Sequence, residues 1–508
     1  MKANLSNLLL LSATLVATAA HAQYGTTPIK HVVVIFQENR TPDNLFQGLC
    51  IANGGVPGCS ATGAAGTYDI ASTYIDSASQ TVPLLPVGLA TNFDLDHSHG
   101  GPFLNGSLSG FNFEYKSQGI ANKPGANAPA FCGASIFGCT VPANNYSQFM
   151  FVYNTPVANS NGTRGGLLDP YLTLATTYGW ANRMFQTNQG PSFPAHQFVF
   201  GATSAPTAED DKAGIFASEN GTGLAYGCAS GQSVQLIRPN GKGTPPFGTE
   251  TPGDEIAQCF DHNALDYLFD RRNPKITWTY YAAGQSSLWV APNALSSLCI
   301  PIAGFCTGPI WSKGASNGYV DTTPPDVLND IASCNLSQVS WITPAGQYSD
   351  HPINSGQGPS WVAAVVNAIG NDKNCDGGTG YWKDTAIFIT WDDWGGWYDH
   401  VPPVIERDVN QKDYQLGFRV PLLVVSAYSP KVGYISNRDY DFGSIVKAIE
   451  GIFGLGSLGF ADARASNDLH DFFDFRNAST VYRTIPAPLP GTFFTKTATS
   501  EVDPPDTD

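Results

Sequence analysis

Residues 385–403 read TAIFITWDDWGGWYDHVPP, and this stretch decides the predicted fold. Its first seven residues form a short apolar run rich in β-branched and aromatic side chains, which is typical of a strand buried on both faces. Two adjacent carboxylates, Asp392 and Asp393, follow at once, and two glycines then permit a turn. Ligands of open α/β sheets bind where the parallel strands end. The stretch therefore predicts a central strand that delivers two carboxylates to a site.

Two other stretches share this pattern. Residues 31–36 form a similar apolar run that leads into the polar sequence QENRT, and residues 420–426 form a third. We interpret all three as parallel strands of one sheet. Apolar residues recur at helical spacing in 360–369 and 444–453, which predicts helices that cover it. The expected fold class is an α/β/α sandwich with a mostly parallel central sheet and long disulfide-stapled insertions.

The composition of the 508-residue chain excludes some classes of function. It has 26 basic and 42 acidic residues, a formal net charge of −16. A surface this negative repels phosphate backbones and anionic membranes, so we expect no nucleic-acid partner. No stretch reaches the roughly 18 uninterrupted apolar residues that a membrane span needs, so we also expect no integral membrane association. We expect a single domain at 23–484. An insertion or cap at roughly 205–345 and a Pro-rich, acidic tail at 485–508 complete the predicted organisation.

The first 22 residues predict a signal peptide, with Lys2, a short apolar run and the cleavage sequence Ala20-His21-Ala22. We therefore expect a secreted or periplasmic protein. An even number of cysteines in an exported chain favours disulfides, and the absence of a C-x-x-C pair disfavours a structural zinc site. One arrangement that fits the spacing pairs Cys50 with Cys59, Cys132 with Cys139, Cys299 with Cys306, Cys228 with Cys259, and Cys334 with Cys375.

Hard oxygen donors follow two of the predicted strands. Glu38 and Asn39 come after the run 31–36, and Asp392 and Asp393 come after the run 385–391. Adjacent buried carboxylates repel each other unless a cation lies between them. The pattern therefore predicts one divalent metal ion, of unknown identity. A helix-capping loop at the first pair and solvated turn acids at the second are the competing interpretations.

The sequence Gly190-Pro191-Ser192-Phe193-Pro194 holds a hydroxyl group where the backbone has little freedom. This suits a positioned nucleophile, whose acidity a nearby metal ion would increase. An ordinary β-turn with a solvated serine is the competing interpretation. His196 follows closely and either serves the site or hydrogen-bonds in the core.

The chain contains the Asp-His pairs Asp96-His97, Asp350-His351 and Asp399-His400 in polar clusters, and His99 follows the first. A carboxylate beside an imidazole orients it for proton transfer or phosphate contact. We therefore treat these histidines as candidate site residues.

Taken together, these segments resemble the bacterial phosphoesterase family that includes secreted phospholipases C and an acid phosphatase. The resemblance covers most of the chain and rests on residues 29–46, 94–99, 185–203, 349–369, 384–403 and 416–426. It implies an alkaline-phosphatase-like fold with one divalent metal ion at the sheet edge.

The resemblance also implies roles for individual residues. Phospholipase members of the family tend to have Thr at the nucleophile position, and phosphatase members have Ser, as here. The chain lacks a histidine between His262 and His351, and it reads Asp441-Phe442-Gly443-Ser444 where the family has a histidine before the last helix. The implied metal ligands are Glu38, Asn39, Ser192, Asp392 and Asp393, the implied catalytic residues are Ser192, His97 and His351, and the additional candidates are His99, His196, Asp350, Asp399 and His400.

We therefore expect a metal-dependent phosphoric ester hydrolase with a serine nucleophile, acting on phosphate monoesters or diesters. A phospholipase C needs an apolar approach to the lipid interface, which Trp391, Trp394 and Trp397 would offer unless they belong to the core. The alternative function is a non-catalytic secreted carbohydrate-binding protein, suggested by the Gly, aromatic and Asn content. Oligomeric state is not predicted.

Overall fold

The computed structural model describes residues 24–25, 27–50, 58–76, 79–91, 94–103, 148–221, 225–239, 248–352, 356–407, 413–479 and 481–496. The predicted signal peptide and the predicted pair Cys132 and Cys139 lie outside these residues. Among the described residues, no helix combines the length and the apolar character required to cross a bilayer.

A mixed eight-stranded sheet forms the centre of the fold, in the spatial order β4-β3-β5-β1-β6-β7-β2-β8. The middle strands β1 and β6 are paired in parallel along their whole length, and every residue of β6 is buried. In chain order the strands are β1 His31–Gln37, β2 Gly179–Ala181, β3 Trp278–Tyr281, β4 Gly318–Asp321, β5 Val339–Ile342, β6 Thr385–Trp391, β7 Leu422–Ser426 and β8 Tyr434–Ser436.

Strand β7 departs from the predicted parallel arrangement. It runs antiparallel to both of its neighbours, β6 and β2, whereas the other five neighbouring pairs of the sheet are parallel. The predicted α/β fold with a mostly parallel sheet is confirmed, but the predicted direction of 420–426 is wrong. As a consequence, the start of β7 lies at the same edge as the ends of β1 and β6.

Helices cover both faces of the sheet. Neighbouring residues of β3 show this, because the ring of Tyr280 lies 5.9 Å from that of Phe200 while Tyr281 donates a hydrogen bond of 2.8 Å to Asp330. The helices are α1 Pro42–Leu45, α2 Asp169–Thr177, α3 Ser192–Gly201, α4 Ala208–Ala213, α5 Leu265–Arg271, α6 Asp326–Ala332, α7 Gly358–Asn371, α8 Cys375–Gly378, α9 Phe442–Phe453, α10 Ala461–Arg464 and α11 Gly491–Phe494. Phe200 belongs to α3 and Asp330 to α6, so the two tyrosines contact opposite layers.

Helix α9 begins two residues before the predicted start at 444. The Asp441 carboxylate accepts a hydrogen bond from the Ser444 amide at 2.9 Å, and the Ser444 hydroxyl accepts one from the Asp441 amide at 3.1 Å. This reciprocal capping box satisfies two amides of the first turn and fixes the start of the helix.

The region 205–345 contributes β3, β4 and β5 to the central sheet, so the expected insertion is limited to the segments that precede and separate these strands. One such segment forms a three-stranded antiparallel sheet, and another forms a hairpin. The strands outside the central sheet are Thr73–Ile75 with Thr81–Pro83, Leu85–Val87 with Met150–Val152, Pro156–Ala158 with Arg164–Gly166, Phe216–Ala217 with Ser233–Pro239 and Gly248–Ala257, Ile300–Ile302 with Phe305–Thr307, and Ile405–Arg407 with Asp413–Gln415.

The described part of the predicted tail is folded rather than frayed. Phe494 is fully buried, and its ring packs edge-on against Tyr348 at 5.0 Å and near Trp361 at 5.3 Å. Four predicted disulfides are present, as expected for a protein of an oxidising compartment. They join Cys50 to Cys59, Cys228 to Cys259, Cys299 to Cys306, and Cys334 to Cys375.

Candidate active site

The ends of β1 and β6 bring the two predicted pairs of oxygen donors together. The ladder between the strands continues past their ends, since the Asp392 amide donates to the Gln37 carbonyl at 2.9 Å and the Arg40 amide donates to the Asp393 carbonyl at 3.0 Å. Glu38 and Asn39 therefore lie beside Asp392 and Asp393, and all four side chains are buried.

The Asn39 backbone adopts the left-handed conformation, with φ of 58°, which few residues other than Gly, Asn and Asp tolerate. Its amide donates a hydrogen bond to Asp392 Oδ1 at 2.8 Å. Gly395 has a similar φ of 60°, and a Cβ added there would lie 2.6 Å from the Asn39 carbonyl oxygen. Gly395 thus allows the loop after β6 to close over Asn39.

Ser192 is the first residue of α3, and its hydroxyl points at the carboxylates. Ser192 Oγ lies 3.4 Å from Glu38 Oε2 and 3.2 Å from Asp393 Oδ2, within hydrogen-bond distance of both. The positive end of the helix dipole favours negative charge at this position. The arrangement therefore suits a serine that reacts as an alkoxide.

The turn before Ser192 is fixed by side chains that the sequence pattern did not single out. Gln186 donates to the Gly190 carbonyl at 2.9 Å, and Asn188 donates to the Pro191 carbonyl at 2.9 Å. Gly190 packs so closely that an added Cβ would lie 1.9 Å from the Ser218 carbonyl oxygen. The serine is therefore held by a rigid turn rather than by a mobile loop.

His97 orients Asn39. The His97 Nδ1 atom lies 2.7 Å from the Leu95 carbonyl and donates to it, so Nε2 of the neutral ring accepts the hydrogen bond from Asn39 Nδ2 at 3.1 Å. This contact turns Asn39 Oδ1 away from the imidazole. His97 Nε2 also lies 3.7 Å from Asp393 Oδ2.

His196 adds a nitrogen to the cluster. Its Nε2 lies 3.2 Å from Glu38 Oε1, and burial lowers the pKa of His196 to about 3, so the ring is neutral. Because an ionised carboxylate only accepts, Nε2 carries the ring proton and donates it to Glu38. The Tyr280 hydroxyl, which donates to the Trp289 carbonyl at 2.8 Å, lies 3.3 Å from Nδ1.

The residues present fit a divalent cation. Asn39 Oδ1 and Asp392 Oδ2 are buried and make no hydrogen bond within the described part of the chain, an arrangement that is costly unless something else binds them. Burial raises the pKa of Asp392, but its interactions with Glu38, His196 and Ser192 and the hydrogen bond from the Asn39 amide together outweigh burial, so the pKa lies below its ordinary value. Glu38, His196 and Asp392 each offer a ligand atom within 4.8 Å of the others.

His351 and Asp350 lie on a neighbouring loop. Asp350 Oδ2 accepts hydrogen bonds from the Tyr171 hydroxyl at 2.7 Å and from Trp391 Nε1 at 3.0 Å, and burial raises the pKa of Asp350 to about 6. His351 Nε2 lies 3.8 Å from Asp94 Oδ2. Asp350 therefore anchors the loop, and His351 faces the Asp94 carboxylate.

Asp399 and His400 belong to a separate ion network. His400 lies 2.8 Å from Asp43 and 3.1 Å from Asp69, and the Arg419 guanidinium donates to Asp399 at 2.7 Å. Burial lowers the pKa of His400, but the two carboxylates outweigh it and raise the value to about 10. The network ties the loop after β6 to α1 and to the residues before β7, and we assign it a structural role.

His99 lies near the nucleophile turn. Its amide donates to Glu219 Oε1 at 2.8 Å, its Nδ1 is 3.4 Å from Glu250 Oε1, and a Cβ on Gly190 would lie 3.7 Å from the His99 Cβ. These contacts do not connect it to Glu38 or Asp392.

The tryptophans are core residues. Trp391, Trp394 and Trp397, offered by the sequence as an approach for lipid, are completely buried. Any contact with a lipid surface must come from another part of the molecule.

The Phosphoesterase family model matches residues 164–456, which is more than half of the chain. The chain belongs to the Phosphoesterase family. The family suggested by the sequence is thereby confirmed.

Curated relatives are similar to part of this phosphoesterase. A non-hemolytic phospholipase C of Pseudomonas aeruginosa is 27% identical over 199 residues, which cover 33% of this chain and 27% of that protein. Phospholipase C B of Mycobacterium tuberculosis is 30% identical over 166 residues, covering 28% of this chain and 30% of that protein. The matched region thus spans less than a third of each relative.

A solved structure of an alkaline phosphatase superfamily protein from Vibrio parahaemolyticus matches with a TM-score of 0.30 and 10% identity. The match covers 58% of this chain and 63% of that one.

Proposed function

We propose that this phosphoesterase is an exported, metal-dependent enzyme in which Ser192 is the nucleophile. The observation that supports this most is the position of Ser192 Oγ, at the positive end of α3 and within 3.4 Å of both Glu38 and Asp393. The predicted signal peptide and the four disulfides support export.

The ligand set that we propose for the metal ion is Glu38, Asn39, Ser192, Asp392 and Asp393. A divalent ion bound there would increase the acidity of the serine hydroxyl and polarise a phosphoryl oxygen. The buried oxygens of Asn39 and Asp392 that lack hydrogen bonds support this set.

The chain's own groups account for the remaining chemistry. Ser192 Oγ gives its proton to the Asp393 carboxylate 3.2 Å away and attacks phosphorus, and the bond from phosphorus to the leaving oxygen breaks as the serine ester forms. His351 is the proposed donor of the proton that the leaving oxygen takes, since Asp94 lies beside it. We assign His97 to holding Asn39 rather than to proton donation, because both of its ring nitrogens are engaged. Water then hydrolyses the serine ester.

We propose phospholipid diesters as the substrate class. Both relatives described above are named phospholipases C, whereas Ser at the nucleophile position favours the acid phosphatase type of the resemblance. A small phosphomonoester is therefore the alternative substrate. The carbohydrate-binding alternative loses its main support, because nine of the ten tryptophans are buried and the tenth is partly buried.

The test is to purify the mature chain, quantify bound metal, and assay phosphatidylcholine in mixed micelles against an aryl phosphate monoester, before and after chelation. We expect turnover of the diester that disappears with chelation and returns with a divalent ion. Chelation-resistant turnover would contradict metal dependence, and preference for the monoester would replace the phospholipase assignment by a phosphatase.

A further inference from the structure

A short hairpin presents three large apolar side chains to solvent. Its strands, Ile300–Ile302 and Phe305–Thr307, are joined by Ala303 and Gly304, both with positive φ, and Cys299 is bonded to Cys306 across its base. Ile300, Ile302 and Phe305 are 55%, 57% and 62% exposed. Because the disulfide holds the two strands together, the hairpin cannot rearrange to bury these side chains, and they stay exposed in the folded protein.

The three side chains share one face of the hairpin. Ile300 and Ile302 are two residues apart on one strand, and Phe305 is paired directly with Ile302 on the other. Successive side chains of a strand point to opposite faces, so the three form a continuous apolar face. Scattered exposed apolar residues need no explanation, but a contiguous group on one rigid element indicates an interaction surface.

The sequence segment that carries the hairpin contains no charged residue. Between Lys275 and Lys313 the sequence contains no Asp, Glu, Lys or Arg, although the whole chain has 68 charged residues, the 26 basic and 42 acidic ones together. Burying a charged group in an apolar or interfacial environment is costly, and this segment avoids it. The net charge of −16 also disfavours an anionic surface as the partner.

The hairpin is connected to the wall of the candidate site. Gln285 exchanges two hydrogen bonds with the Cys306 backbone, at 2.9 and 3.1 Å, and Asn293 donates to the Gln285 carbonyl at 3.1 Å. The segment between these two residues carries Trp289, whose ring lies 6.4 Å from that of His196 and 6.3 Å from that of His351. One continuous segment thus joins the apolar face to the site histidines.

We propose that the face formed by Ile300, Ile302 and Phe305 docks the enzyme on a zwitterionic phospholipid bilayer. The proposal rests on the proposed function, since it assigns the surface on which the substrate is presented. This face, rather than the buried tryptophans, provides the apolar contact with lipid.

The experiment compares two sets of variants in the Ser192→Ala background, which leaves the lipid intact. One variant combines Ile300→Ser, Ile302→Ser and Phe305→Ser. The matched control combines Val432→Ser and Val481→Ser, two residues that are 73% and 72% exposed elsewhere on the surface. Binding is measured by co-sedimentation with phosphatidylcholine vesicles and with phosphatidylglycerol vesicles, and thermal unfolding verifies that each variant is folded.

We expect the triple variant to bind phosphatidylcholine vesicles about tenfold more weakly, the factor expected when part of the transfer free energy of large apolar side chains is lost. The control should bind like its parent, and phosphatidylglycerol should be bound less well than phosphatidylcholine. Phe305→Ser alone should give a smaller loss in the same direction. Equal vesicle binding by the triple variant and the control would overturn the proposal.

Activity separates this inference from the proposed function. With Ser192 intact, the triple variant should lose turnover on vesicles but keep turnover of a water-soluble aryl phosphocholine diester. Hairpin-dependent vesicle binding without turnover of any phosphoester would contradict the proposed function and still support the docking surface. A wild-type dimer that the triple variant converts to a monomer, with no vesicle binding, would overturn the inference in favour of self-association.

Discussion

Asn39 and His97 are joined by a hydrogen bond of 3.1 Å from the side-chain amide to the imidazole Nε2. The bond selects one orientation of the Asn39 amide, in which Oδ1 points away from the imidazole and makes no hydrogen bond to the described residues. Because Leu95 holds the opposite ring nitrogen at 2.7 Å, the imidazole cannot rotate freely. His97, which is not itself a proposed metal ligand, thus positions Asn39, which is one.

Replacement of His97 should therefore weaken metal binding. We expect His97→Ala to reduce the affinity for a divalent ion by about 10- to 100-fold, the usual effect of removing a group that orients a ligand. Titration calorimetry on the metal-free protein measures this directly. His31→Ala is the control, since His31 lies at the opposite end of β1 and contacts the Ser337 carbonyl. An unchanged dissociation constant in His97→Ala would refute the positioning role.

Gly190→Ala should strongly reduce activity because it displaces Ser192. The added Cβ would lie 1.9 Å from the Ser218 carbonyl oxygen, so the turn must shift. Misplacement by about 1 Å costs on the order of 100-fold in rate. Gly58→Ala is the control, because nothing lies within 4 Å of its added Cβ. The measurement is kcat/KM at saturating metal, and wild-type activity in Gly190→Ala would show that the turn tolerates the shift.

The sequence predicted the centre of the site better than its surroundings. Glu38, Asn39, Asp392 and Asp393 directly follow two apolar runs, and strands of that kind place their ends at a common edge. The ion network around Arg419 was not predicted, because its location depends on the antiparallel direction of β7. An apolar run in the sequence does not indicate whether its strand pairs in parallel or antiparallel.

His400 should make stability depend on pH. Its pKa is raised from the ordinary value of 6.5 to about 10 in the folded protein, so the charged form stabilises the fold. This contribution is complete below about pH 6.5 and is lost as the pH rises through 10. We expect His400→Gln to flatten the decline in unfolding free energy over that range. Denaturant titrations at a series of pH values test this, and parallel curves for variant and wild type would count against it.

Phe494→Ala should destabilise the protein by about 3–5 kcal/mol, the usual cost of removing a fully buried phenylalanine side chain. Phe494 is completely buried, whereas its neighbour Phe493 is only partly buried, so Phe493→Ala is a matched control with a smaller expected effect. Denaturant unfolding of both variants measures the difference. Equal losses would mean that the tail does not pack as described.

The tail also makes a tertiary contact that the sequence does not predict. A Pro-rich composition indicates an extended segment, but it does not reveal that Phe494 packs edge-on against the stacked rings of Tyr348 and Trp361. The same holds for His196 beside Glu38, since two residues 158 positions apart meet only through tertiary packing. Local patterns predicted the strands and the donor residues, whereas these contacts depend on the assembled fold.

The most direct test of the mechanism is to stop the reaction in acid during turnover of a phosphodiester and to analyse the peptide that contains Ser192 by mass spectrometry. We predict that this peptide carries the phosphoryl group of the substrate on Ser192. Ser192→Ala should show no such adduct and should lose at least about 1,000-fold in kcat, while it remains folded. Turnover by Ser192→Ala at the wild-type rate, with no adduct in either protein, would contradict a covalent serine mechanism.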